Sequence, residues 1–299
     1  MQKFNLHTHS IFSDGKSTPE EVVVEAINQG MEVLGFSDHS PVPFENTFAI
    51  KNGEVDNYIS TIKSLKEKYK DEIEIYCSME MDFIPGIVNN FKETKETLGL
   101  DYLIGSVHLV GNDIDRLWFI DGSKYETYDE GLFSYFDGDI KKGVRAFFHQ
   151  YNEMIETEEF DIVGHFDKIK MHNRGRYFSE EDKWYRDYLM ETLTLIKEKS
   201  LIVEVNTRGI YKKRSDDFYP STWLFPVIKD MDIPVVISSD AHSVKNVLRV
   251  DNVVKFVQLV SATGGSINIS QRNISLSTCG LVPEMKKFAD LEIPVNLTI

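Results

Sequence analysis

FNLHTH, residues 4–9, is a short apolar run that ends in two histidines, and the same construction recurs along the chain. VLGFSDH (33–39) ends in Asp38 and His39, IEIYCSME (73–80) in Glu80 and YLIGSVH (102–108) in His108. FDIVGH (160–165) ends in His165 and PVVISSDAH (234–242) in Asp240 and His242. With LIVEVN (201–206) these runs make seven strand-like segments: 4–6, 33–36, 73–76, 102–107, 160–163, 201–205 and 234–237. Between them the apolar residues fall at helical spacing. Pro19–Gln29 has Ser17 and Thr18 as caps and Pro19 in its first turn. Val55–Tyr69 carries Tyr58, Ile59, Ile62, Leu65 and Tyr69 on one face, and Val88–Leu98, Ile140–Glu156, Glu181–Lys199 and Trp223–Asp230 read as helices too. Strands alternating with helices predict a parallel α/β architecture, which a barrel and an open doubly wound sheet both satisfy. The glycine-rich nucleotide-binding signatures of open sheets are absent.

In a parallel barrel the C-terminal ends of the strands converge on one face. Six of the eight histidines lie at such ends; His149, on a predicted helix, and His172, in the polar stretch KMHNRGR (170–176), do not. A single buried histidine is ordinarily a satisfied core residue, but six at strand ends, with Glu80 and Asp240 among them, predict one site. His7 and His9 are two apart on a strand, so both rings face the same way and can hold one ion. Imidazole with carboxylate suits zinc, manganese or iron. A carboxylate such as Glu80 can bridge two ions, and two ions roughly 3.5–4 Å apart can clamp a phosphoryl oxygen. The nine candidates, with Asp14 from the loop FSDGK (12–16), exceed what two open sites take and leave donors for a third ion.

The chain has 299 residues, 41% hydrophobic and 27% charged, enough for one large barrel. Acidic residues number 48 against 33 basic, a net charge of −15, which counts against a long phosphate backbone but not against a small anion in a cleft. Cys77 and Cys279 give no disulfide framework. With neither a signal pattern nor a membrane-length apolar run, a cytoplasmic protein is expected; oligomeric state is not legible.

At HTHSIFSDG (7–15), SDHSP (37–41), the Glu of SMEMD (78–82), IGSVH (104–108), GHFD (164–167) and SSDAH (238–242) the sequence resembles the polymerase-and-histidinol-phosphatase (PHP) family, over about residues 1–250. Within it the sequence most resembles the histidinol-phosphate phosphatases, with GHFDKIK and EVNTRG in their style; SME stands where that subgroup usually has a glycine before the Glu. The resemblance implies a distorted (β/α)7 TIM-like barrel with a site for two to three divalent ions at the C-terminal strand ends. His7, His9, Glu80 and Asp240 would hold the first ion, Glu80, His108 and His165 the second, and His39, His242 and Asp14 the third. The implied reaction is attack of a metal-bridging hydroxide on a phosphomonoester, most directly L-histidinol phosphate, with Glu80 bridging and Asp240 or His242 moving a proton. Arg208, Arg174 and Lys168 are the expected phosphate-binding residues. The alternatives are a nucleotide phosphoesterase or nuclease of the same family, a metal-binding module without catalysis, and an amidohydrolase.

Residues 251–299 have a different character. SQRNISLSTCGLVP (270–283) resembles an internal stretch of the radical-SAM methyltransferases that modify adenosine at C2 in ribosomal and transfer RNA. Their Cys-x-x-x-Cys-x-x-Cys motif is missing, so a fusion or gene-fragment tail without its own activity is expected.

Overall fold

The computed structural model describes residues 4–88, 90–247, 275–277 and 296–298. The chain runs through β1 (Phe4–Asn5), β2 (Val33–Phe36), β3 (Glu74–Asp82) and β4 (Tyr102–Ser106). An antiparallel hairpin, β5 (Leu109–Val110) and β6 (Trp118–Phe119), follows, and then β7 (Ile162–Val163), β8 (Ile202–Asn206) and β9 (Val235–Ser238). The seven strands other than the hairpin pair in parallel in the order β1-β2-β3-β4-β7-β8-β9. They form a nearly closed barrel, the one of the two architectures open to the strand–helix alternation that the family resemblance implied. Closure occurs at the rim, where the Ala241 carbonyl accepts from His9 N at 2.8 Å and Ala241 N donates to the His7 carbonyl at 3.2 Å. The two segments that join the ends of the barrel are therefore ligand-bearing segments.

Helices fill the crossovers: α1 (Pro19–Asn28), α2 (Val55–Lys68), α3 (Phe91–Leu98), α4 (Tyr125–Phe136), α5 (Ile140–Thr157), α6 (Lys170–Asn173), α7 (Lys183–Glu198), α8 (Arg208–Tyr211) and α9 (Phe225–Asp230). α1 opens on a capping box, with the Thr18 side chain accepting from Glu21 N and the Glu21 carboxylate accepting from Thr18 N. Its apolar face, Val22, Val23 and Ala26, is buried, as are Tyr58, Ile59, Ile62 and Leu65 of α2. α3 starts three residues later than the periodicity predicted, because Asn90 caps it by accepting from Glu93 N at 2.9 Å. The expected Trp223–Asp230 helix divides into a tight turn, Thr222–Leu224, and α9. The hairpin and α4 were not foreseen; buried Trp118 joins them, its indole N–H donating to the Tyr128 carbonyl at 2.8 Å.

Alternation along the strands sorts the barrel interior into layers. Phe4, Leu6, Tyr76, Tyr102, Ile104, Ile162, Ile202 and Val236 make an apolar floor. Two residues further along the same faces stand buried Ser78, Ser106, Glu204 and Ser238, and Glu80 and Asn206 follow in β3 and β8. The polar layer thus sits directly beneath the rim. On the outer face a larger apolar cluster, including Phe36, Phe147, Tyr185 and Leu193, joins the sheet to the helices.

Beyond β9 the sheet continues with β10 (Ser275–Ser277), paired through Leu276 to Val235, and β11 (Asn296–Thr298), paired to β10. The rest of the segment 251–299, on which the reading of a separate tail falls, lies outside the described residues. Among the described residues no helix is long and apolar enough to cross a membrane.

Candidate metal centre

Glu80 is the hub of the site. It is 1% exposed at the end of β3, and its two oxygens face different histidines. Oε2 lies 3.2 Å from His7 Nε2, 3.5 Å from His9 Nε2 and 3.3 Å from His39 Nδ1. Oε1 lies 2.9 Å from His165 Nε2 and 3.5 Å from His108 Nε2, and accepts from Ser106 Oγ at 2.7 Å. Asp240 Oδ1 faces His9 Nε2 at 3.4 Å and His7 Nε2 at 3.9 Å. Asp14 Oδ1 faces His242 Nε2 at 3.0 Å, His9 Nδ1 at 3.7 Å and His39 Nε2 at 3.9 Å. All nine residues named from the sequence meet at one end of the barrel.

The donor set fits divalent ions. Ring nitrogens converge on one another: Nε2 of His7 and His9 are 3.0 Å apart, and Nε2 of His108 and His165 are 3.3 Å apart. Asp14 Oδ1, His39 Nδ1 and His165 Nδ1 are buried without hydrogen-bond partners. Three compact groups could each hold an ion: His9, Asp14, His39 and His242; His7, His9 and Asp240; His39, Glu80 and His108. These overlap the three sets implied by the family resemblance, but His9 and His39 also join neighbouring groups. Carboxylates outnumber the cations, buried Lys168 and part-buried Arg208, here, and multivalent cations would supply the missing charge.

Sequence reasoning missed the residues that aim the rings. Glu204 faces His7 Nδ1 at 2.5 Å, and Asp82 faces His108 Nδ1 at 3.1 Å. A carboxylate on Nδ1 fixes the tautomer that presents Nε2 as a ligand. Glu204 also accepts from His165 N at 2.9 Å and from Ser238 Oγ, so it ties β8 to three other strand ends. Glu204→Gln is expected to weaken metal affinity about 10–100-fold, the usual cost of losing such a partner, read by chelator competition. Unchanged affinity would remove Glu204 from this role. Asp38, one of the strand-end candidates, instead accepts from Ser10 N at 2.7 Å and Ser13 Oγ at 2.6 Å and holds the loop that carries Asp14.

The expected phosphate-binding residues divide. Arg208 is at the rim, Nη1 donating to the Asp240 carbonyl at 2.7 Å and approaching Oδ1 at 3.4 Å. Lys168 is buried, with Nζ 2.8 Å from Asp121 Oδ2 and 3.4 Å from His165 Nε2. Arg174 is not brought to the cluster: it is exposed, caps α6 in a left-handed conformation (φ 45°) and donates to the Lys213 carbonyl at 2.9 Å. His149 is exposed on α5. His172, expected in a loop, is on α6, half-buried with Nε2 2.7 Å from the Gly122 carbonyl.

Without metal the ligands compete for protons. Burial opposes charge on His108, but Asp82, Asp121 and Glu80 outweigh it and raise its pKa to about 9. His7 is likewise raised against the burial penalty, by Glu204, Glu80 and Asp240. An ion must displace these protons; the metal-free protein holds that of His108 up to about pH 9, and affinity rises with pH below that value. For one displaced proton the gain approaches about tenfold per pH unit. Metal affinity that stays flat between about pH 6 and about pH 9 would contradict this.

A protein-family model for the PHP domain matches residues 5–208. The chain belongs to the PHP domain family. Among PHP-domain relatives, the histidinol-phosphatase of Bacillus subtilis is 26% identical over 266 residues, 83% of this chain and 96% of that protein. A histidinol phosphate phosphatase from Lactococcus lactis, solved with zinc, L-histidinol and phosphate, superposes with a TM-score of 0.58 at 21% identity, covering 86% of this chain and 93% of that one. The hisK structure from Listeria monocytogenes gives a TM-score of 0.71 at 21% identity, covering 83% and 98%, so the barrel is the fold of these proteins. Separately, 49 residues are 57% identical to the probable dual-specificity RNA methyltransferase RlmN of Clostridium perfringens, 16% of this chain and 14% of that protein.

Proposed function

We propose that this chain is a metal-dependent phosphomonoesterase that hydrolyses L-histidinol phosphate to L-histidinol and phosphate. The observation that carries this reading is Glu80, whose oxygens serve two groups of imidazoles in a cleft that also holds Lys168 and Arg208. His7, His9, Asp14, His39, Glu80, His108, His165, Asp240 and His242 would hold two to three divalent ions, zinc, manganese or iron. Bound ions supply an activated water and neutralise charge on the phosphoryl oxygens. The chain's own groups do the rest. The Arg208 guanidinium, permanently charged, is anchored through Nη1 to Asp240 and His242 and adds a fixed positive charge beside the site for a phosphoryl group. Lys168 adds a second cation, held charged by Asp121 and Asp240 against the burial penalty. Asp240 Oδ2 accepts from Asn206 Nδ2 at 3.2 Å and is the oxygen turned away from His7 and His9. It takes the proton of the attacking water and returns it to the alkoxide as the ester P–O bond breaks. The Bacillus and Lactococcus relatives support the choice of ester.

The test is phosphate release from L-histidinol phosphate, mononucleotides and a phosphodiester, with metal analysis on the same protein. Release from histidinol phosphate is expected. Release from a nucleotide or diester alone would transfer the assignment to a nucleotide phosphoesterase or nuclease, and metal-loaded protein inactive on all three would end the phosphatase reading.

A further inference from the structure

One carboxylate oxygen in the cleft has no task in the scheme above. Glu80, Asp14 and Asp240 belong to candidate ion groups or their bridge, and Asp82 and Glu204 orient His108 and His7. Asp121 does neither. It lies in the loop between β6 and α4, pinned beside the site because Ile120 N donates to the His108 carbonyl at 3.0 Å and His172 Nε2 meets the Gly122 carbonyl. Asp121 Oδ2 is 2.8 Å from Lys168 Nζ and 3.8 Å from His108 Nε2. Asp121 Oδ1 is buried and has no hydrogen-bond partner. A buried carboxylate oxygen left without a donor costs free energy unless a ligand supplies one.

From this arrangement we propose that Asp121 is a specificity residue: its Oδ1 accepts a hydrogen bond from the ammonium group of an amino-alcohol phosphate while Lys168 holds the neighbouring phosphoryl group. The inference rests on the phosphatase reading and deepens it by naming the substrate feature that is recognised. Lys168 and Asp121 place a cation and an anion side by side, complementary to an ester with its phosphate and ammonium on adjacent carbons. In histidinol phosphate the amine is that close to the ester oxygen, whereas the imidazole lies further out along the chain. The half-buried rings of Phe48 and Phe119 stand 5.8 Å apart, with Phe48 5.5 Å from His39, and offer a flat ring an apolar surface beside the cluster.

The experiment compares wild type with Asp121→Asn on two substrates, L-histidinol phosphate and its analogue lacking the amine, 3-(imidazol-4-yl)propyl phosphate. Binding of L-histidinol by calorimetry and metal content are measured on the same samples. In wild type the amine is expected to raise kcat/KM about 10–100-fold, the range of a charge-assisted hydrogen bond. Asp121→Asn should remove most of that preference, weaken L-histidinol binding by a similar factor and leave metal content unchanged; whatever the common loss through Lys168, the two esters should then differ by less than about threefold. Asp121→Ser repeats the comparison if the amide does not fold. An equal fall on both substrates would make Asp121 a support for Lys168 only. A fall in bound metal would make it a ligand, and either result overturns the proposal, as does wild type that treats the two esters alike. Wild type inactive on both esters overturns the phosphatase reading itself, and is thereby distinguished from failure of Asp121 alone.

Discussion

Glu80→Ala is expected to lower turnover of a phosphate ester by about 10³-fold or more and to lose bound metal in parallel. Five imidazoles have a nitrogen within 3.5 Å of this one carboxylate. Its oxygens join the His7, His9 and His39 side of the cleft to the His108 and His165 side, so no neighbour can replace both contacts. Burial opposes the charge on Glu80, but His7, His108 and His39 hold its pKa well below the usual carboxylate range. The metal-free variant has an outlet that limits the structural damage: histidines that lose their counter-charge lose their protons as well. Metal-free Glu80→Ala should therefore stay folded, because the imidazoles become neutral instead of remaining as unpaired buried charges. The combination to look for is a near-normal melting temperature without metal, little stabilisation on adding metal, and turnover near background. Turnover within about tenfold of wild type would sink the hub assignment.

Why the hub could be read from sequence, and its supports could not, follows from where the residues lie. His7, His9, His39, Glu80, His108, His165, Asp240 and His242 sit where an apolar run stops, and a parallel barrel brings such points together. Glu204 and Asp82 are no less central, yet Glu204 lies within β8, and Asp82, the last residue of β3, stands two positions past the point where the apolar run meets Glu80. The signal that could have found them was available: Glu204 is the one charged residue in LIVEVN and shares an inward face with Ile202 and Asn206, while Asp82 shares the face of Glu80 two positions on. A carboxylate on the buried face of a strand needs a partner, and a histidine at a neighbouring strand end is the obvious one. Asp121 had no such signal, because its place depends on the hairpin and on α4, neither of which has the long periodic pattern that betrays α2 or α5. Arg174 failed for the same reason in reverse. Sequence proximity to His165 put it on the list, but the left-handed turn that ends α6 sends its guanidinium to the Lys213 carbonyl.

Gly35→Ala should be the most destabilising small change in the barrel, although it adds a single methyl group. Gly35 is in β2 and faces the interior, where a Cβ would collide with the Tyr102 hydroxyl and stand 3.1 Å from Leu6 Cα. Tyr102 is fully buried, and its hydroxyl donates to the Leu6 carbonyl, one residue before the first ligand. The Gly35 carbonyl in turn accepts from Thr8 Oγ1 at 2.7 Å, between His7 and His9. Alanine must therefore displace either the Tyr102 ring or the chain that carries both histidines. Overpacking of this kind costs about 1–3 kcal/mol, and a broken buried hydrogen bond adds roughly 1 kcal/mol. For a barrel of this size about 3 kcal/mol lowers the melting temperature by roughly 6–12 °C, measurable by calorimetry on metal-free protein. Tyr102→Phe separates the collision from a general strand defect, since it removes the oxygen that the methyl group would strike. Gly35→Ala should then cost about 1 kcal/mol or more less in the Tyr102→Phe background than alone, a coupling expected only of groups in direct contact. Equal costs in both backgrounds would mean that glycine serves β2 through its backbone and that Tyr102 is a bystander.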